Sequence, residues 1–151
     1  MARKAPRLQV THEAIERLTR LSELFQKRRE QLAARAGLSV GQWSVLEEIS
    51  TEHFMPSMFA ASESTSRPAV SKIIRQLLDR DLIRVAISQA DGRQRDYALT
   101  ADGKATLARV RAERAKAIEA IWLPLDSQAV AQFSAFTNEL IERIERHAAE
   151  D

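Results

Sequence analysis

Ser66-Arg67-Pro68-Ala69-Val70-Ser71-Lys72-Ile73-Ile74-Arg75-Gln76-Leu77-Leu78-Asp79-Arg80 is the stretch on which the reading of this chain turns. Val70, Ile73, Ile74, Leu77 and Leu78 recur at the spacing that gathers apolar side chains on one side of an α-helix. Ser71, Lys72, Arg75 and Gln76 fall on or flank the opposite side. Ser66 suits an N-cap, and Pro68 is tolerated in the first turn that Arg67 opens. The exposed side then holds two long cations, a hydroxyl and an amide. Such groups bond phosphates and base edges, and a helix fits the major groove of duplex DNA. Taken alone, the pattern also describes an ordinary solvated helix. Its neighbours decide between the two.

Upstream, Pro56–Ala61 suits a short helix and Ser62–Ser66 is a small polar turn. Downstream of Asp81 the period changes from helical to alternating. Ile83, Val85 and Ile87 alternate with Arg84, Ala86 and Ser88, and Arg95–Thr100 sets Tyr97 and Leu99 on one face. Gln89–Gln94 joins these strands, with Asp91-Gly92 read as a type I′ turn. Arg93 and Arg95 stand at the tip, where a minor groove would attract them, and Asp91 is placed to pair with the Arg93 guanidinium and aim it. A short helix, a turn, a basic amphipathic helix and a hairpin make a winged helix-turn-helix.

The flanks are helical. Thr11–Ala36 carries Ile15, Leu18, Leu21, Phe25 and Leu32 at helical spacing and ends at Gly37. Ser39 caps Val40–Ser50, and Thr51–Met55 breaks it. Thr100 caps Ala101–Trp122; Pro124 ends that helix. Asp126 or Ser127 starts the last one, whose stripe is Val130, Phe133, Thr137, Leu140, Ile141 and Ile144. Both chain ends carry apolar stripes that a monomer has little to cover, as in a symmetric homodimer. The expected fold is mainly α with one β-hairpin, in a single domain over 1–151. Residues about 38–100 form the winged part, and about 11–37 and 101–148 the dimerisation helices.

The 151 residues include no cysteine, which removes disulfides, thiolate metal sites and thiol redox switches. His12, His53 and His147 are scattered and match no ligand spacing, and no phosphate loop or nucleophile elbow is present. The chain therefore reads as no enzyme, with no cofactor and no metal. No apolar run suits a membrane span. Met1–Gln9 has Arg3, Lys4 and Arg7 without the apolar stretch of a secretory signal, so the expected location is cytoplasmic. Charge is segregated: residues 1–37 net +5, 38–63 net −4, 64–118 net +6 and 119–151 net −5. Eighteen of the 23 basic residues are Arg, suited to bidentate phosphate and guanine contacts, so one surface is built for a polyanion. Two other readings stand beside double-stranded DNA binding: a regulator sensing metal through His and carboxylates, and a helical interaction module without DNA. Arg93 and Arg95 argue against the module.

Three ordered blocks resemble the MarR family of transcriptional regulators. They are Gly37-Leu38-Ser39 with Gln42-Trp43-Ser44-Val45-Leu46, then Ser66–Lys72, then Asp91-Gly92-Arg93-Gln94-Arg95 with Leu99-Thr100 and Gly103. The resemblance runs from about residue 11 to 147. It implies a homodimeric regulator, repressor or activator; helix, wing and resemblance together place the DNA contacts at Ser66, Arg67, Pro68, Ser71, Lys72, Arg75, Asp91, Arg93 and Arg95. It also implies release by a small aromatic effector held between the dimer helices and the winged part; Phe25 and Trp43 are either lining of that pocket or plain core. The sequence departs from the family at the helix-turn-helix corner, where Glu63 and Ser64 replace the usual Leu and Gly, and in a longer loop at Thr51–Pro56. Either this turn is rearranged and Glu63 is exposed, or Glu63 pairs with an Arg such as Arg67, because an unpaired buried carboxylate is costly.

Overall fold

A computed structural model describes residues 4–150. Met1–Arg3 and Asp151 lie outside the described residues, and with them Arg3 of the N-terminal segment discussed above. Six helices and one hairpin follow in order: α1 Lys4–Arg35, α2 Val40–Ser50, α3 Pro56–Ser62, α4 Arg67–Asp79, β1 Ile83–Ile87, β2 Arg95–Leu99, α5 Ala101–Ile121 and α6 Ser127–Ala148. The helix α1 starts seven residues ahead of the expected Thr11, because Pro6 falls in its first turn and no later breaker interrupts it. None of the described helices is long and apolar enough to cross a membrane.

Local chemistry sets the corners. Gly37 adopts φ +72°, and the Gly37 and Leu38 amides bond back to Ala34 and Ala33 carbonyls at 2.9 Å each, closing α1. Ser39 then opens α2 with a full capping box: its Oγ accepts the Gln42 amide at 3.1 Å, and its own amide donates to Gln42 Oε1 at 3.0 Å. Thr100 does double duty at the start of α5. Its hydroxyl accepts the Gly103 amide at 3.0 Å and donates to the Asp81 carbonyl at 2.6 Å.

The chain divides into two compact units, one reaching to Arg111 and one beginning at Ala112. In the first, α2 lies against α1, α4 and β2, and α3 lies against α4. Val45, Leu46, Val70, Leu77, Ile83, Leu107 and Val110 form the fully buried centre. Gly103 is buried where α5 passes the Leu82 carbonyl. The two strands pair antiparallel from Ile83↔Leu99 to Ile87↔Arg95. Only Ile83 of β1 is buried; Val85 and Ile87 are exposed. On β2 the expected face holds, Tyr97 and Leu99 being half-buried against the core, whereas on β1 the alternation beyond Ile83 reflects the strand preference of β-branched residues.

The second unit holds the end of α5 and α6. Asp126 caps α6 by accepting the Ala129 amide at 2.8 Å. No residue of α6 is buried in the single chain, and Phe133, Phe136, Ile141 and Ile144 are between 42% and 62% exposed. Of the stripe expected to be covered, Val130, Thr137 and Leu140 are half-buried within one chain, and Phe133, Ile141 and Ile144 are exposed.

Candidate nucleic-acid interface

The helix α4 is amphipathic as its spacing demands. Val70, Ile74 and Leu77 are buried, and Ile73 and Leu78 are half-buried. Arg67, Pro68, Ser71, Lys72 and Arg75 are exposed. Ser66 is the N-cap, its Oγ accepting the Ala69 amide at 3.2 Å. Gln76, read as flanking the polar face, instead turns inward and accepts from Gln42 Nε2 at 3.1 Å. Arg80, just past the helix, donates to the Gly37 carbonyl at 2.8 Å and to Gln42 Oε1 at 3.2 Å. These bonds tie α4 to the α1–α2 corner and fix the direction in which its basic face points.

The hairpin tip differs from its expected geometry. Ser88, buried, donates its amide to the Gln94 carbonyl at 2.8 Å, and its Oγ accepts the Ala90 and Asp91 amides at 3.3 and 3.4 Å. Gln94 donates to the Asp91 carbonyl at 2.9 Å. Neither Asp91 nor Gly92 has a positive φ, so the tip is not a type I′ turn. The connection is longer than the two residues for which that turn is selected. Asp91 does not pair with the Arg93 guanidinium; its Oδ1 accepts the Arg93 backbone amide at 3.1 Å, an Asx turn. It shapes the tip rather than aiming a side chain. Ser88 was missed from the sequence, although Ser three residues before Asp in a turn is a recognisable hydroxyl–backbone motif.

Arg67 and Ser71 from α4 and Arg93 and Arg95 from the wing line one recess of about 550 Å³, together with His53 and Tyr97. Four of the nine expected DNA-binding residues thus converge. Lys72 and Arg75 lie further along the exposed side of α4, and Ser66, Pro68 and Asp91 serve local geometry.

Of the candidate effector residues, Trp43 is core at 5% exposure. Its indole N–H donates to Glu47 Oε1 at 3.1 Å, and the Arg29 guanidinium lies 5.5 Å over its ring. Glu47 also holds Arg111 by two bonds, Nε to Oε1 at 3.2 Å and Nη2 to Oε2 at 2.5 Å. That hydrogen bonding, and then the carboxylate's charge, raises the Arg111 pKa against the opposing effect of burial. Phe25 is 47% exposed on α1. Among the described residues, no three His, Asp or Glu side chains gather as a metal site.

No protein-family model and no curated protein matches the sequence. Solved structures do match. A crystal structure of the MarR family transcription regulator SP03579 superposes with a TM-score of 0.84 at 20% identity, over 93% of this chain and 94% of that one. The fold is the MarR fold. Staphylococcus aureus MarR, in complex with salicylate and kanamycin, shares it at TM-score 0.77 and 19% identity, over 91% and 94% of the two chains. So does S. aureus MepR in a complex with DNA, at TM-score 0.69 and 15% identity, over 84% and 93%. Within this MarR fold the corner between α3 and α4 is turned without glycine. Ser64 takes φ +50°, and the Thr65 amide bonds to the Ala60 carbonyl at 2.9 Å. Glu63 is exposed.

Proposed function

We propose that the protein is a homodimeric regulator that binds double-stranded DNA, with α4 in the major groove and the wing tip at the adjacent minor groove. The observation that carries this is the convergence of Arg67 and Ser71 with Arg93 and Arg95 on one recess, beside the exposed Lys72 and Arg75. The MarR fold supports it, since MepR of that fold is solved with DNA. In this reading Lys72 and Arg75 meet base edges and carry sequence preference, while Arg93 and Arg95 meet phosphate or minor groove. The Ser66 hydroxyl adds a donor toward phosphate, and Pro68 and Asp91 hold the backbone that presents the others. The protein acts as a cytoplasmic repressor. A small aromatic effector releases it, supported by salicylate in the S. aureus MarR complex, with the exposed Phe25 at that pocket's wall and Trp43 in the core.

Fluorescence anisotropy titrations on the duplex just upstream of the gene, and on a scrambled duplex, test the division of labour. Arg75→Ala should cost ~1–3 kcal/mol per half-site and narrow the gap between the two duplexes. Arg93→Ala and Arg95→Ala should weaken both duplexes alike and flatten the log K against log salt line by ~0.9 for each phosphate left without its cation. Unchanged affinity and salt slope in both wing variants would rule the hairpin out as a DNA-contacting element.

A further inference from the structure

The recess between α4 and the wing has a third wall, the loop between α2 and α3, to which the DNA reading assigns nothing. That loop is pinned on both sides of residue 53. The Thr51 hydroxyl donates to the Glu48 carbonyl at 2.7 Å, and the His53 amide donates to Thr51 Oγ1 at 3.4 Å. Glu52 turns the chain at φ +64°. Phe54 then packs edge-on against Phe59 and Tyr97, each ring centroid 5.6 Å away. Between these anchors His53 is exposed and lines the recess.

We propose that His53 is a further DNA-contacting residue, meeting as its imidazolium the phosphate of the strand that passes between α4 and the wing. The proposal rests on the DNA-binding reading above. A helix in the major groove and a hairpin in the next minor groove straddle one sugar–phosphate strand, so the space between them is where that strand runs. The charged and titratable groups around this space are Arg67 from α4, Arg93, Arg95, Asp96 and Tyr97 from the wing, and Glu52 from the loop itself. Three guanidinium groups against two carboxylates leave one net positive charge, and a protonated His53 makes it two. A phosphate placed beside the imidazole favours its charged form. DNA binding therefore takes up a proton, and affinity rises as pH falls through the range where imidazoles titrate, about pH 8 to 5.

Anisotropy titrations of the full chain on the upstream duplex, at about pH 8 and about pH 6 and at several salt concentrations, test this. The wild type should bind more tightly at the lower pH, on the order of tenfold per half-site near 0.1 M salt, with a salt slope steeper by ~0.9 for each His53. H53Q should lose that tightening, and H53K should bind tightly at both pH values. A double variant of the other two imidazoles, H12Q with H147Q, should keep it. Tightening that survives in H53Q, or H53K no tighter than H53Q, would overturn the proposal. A wild type that binds the duplex with no pH dependence overturns the His53 contact and leaves the DNA reading standing. No binding at any pH removes both.

Discussion

A methyl group at residue 103 has nowhere to go. A Cβ built on Gly103 runs into the Leu82 carbonyl oxygen, which already accepts the Thr100 amide at 3.1 Å, and the neighbour is backbone that cannot rotate away. Gly103→Ala should cost about 3 kcal/mol through overpacking, read as a lower midpoint in urea at fixed protein concentration. By contrast, Gly92 meets nothing within 4 Å, so the same substitution there should be silent. The two glycines look alike in the sequence, each beside an Asp. What separates them is a non-local contact, and that is the limit of what single residues disclose. Asp91 shows it again. Its proximity to Arg93 was legible; that the backbone amide rather than the guanidinium would take the carboxylate depended on the turn that Ser88 organises.

The helices were legible almost throughout, because caps and periodicity are local signals: Ser39, Ser66, Thr100 and Asp126 all cap where the chain places them. The boundaries that slipped lacked such a signal, as at the start of α1. The hairpin was also readable, down to the face that Tyr97 and Leu99 share, but the exposure of Val85 and Ile87 was not, since alternation records strand preference as well as burial. Of the basic side chains near α4, Arg80 is the one whose role composition would misassign. It bridges Gly37 and Gln42, clasping α4 to the α1–α2 corner. Arg80→Ala should lower stability by about 1 kcal/mol, as for a typical hydrogen-bond deletion, while leaving the salt slope of DNA binding as in the wild type. Paired with Arg93→Ala, which should do the reverse, it separates a positioning arginine from a contacting one. A shallower slope in Arg80→Ala would assign Arg80 to the DNA face.

At the scale of the molecule, the apolar surface is distributed unevenly. The first unit has a sixteen-residue buried core, whereas α6 buries no residue, and Ile15, Leu18 and Phe25 of α1 stay more than 40% exposed. A second copy is the proposed cover. Light scattering at micromolar concentration should return about twice the 17.0 kDa chain mass, and Phe136→Glu or Ile141→Glu should shift it toward a monomer. A wild-type chain that scatters as a monomer would exclude the homodimer. The wing is the opposite kind of surface. Ile83, Leu99 and Tyr97 hold its root and middle against the core, whereas Arg93 and Arg95 at the tip are exposed. Stability and reach are thereby held by different residues. Drift at the tip should be thermodynamically quiet, and the hairpin can be lengthened by about 3.4 Å for each cross-strand pair added, in steps of two pairs if its faces are to keep their orientation. Such insertions should leave the melting temperature in place while moving Arg93 outward, so that the reach of the arm and the stability of the fold are set independently.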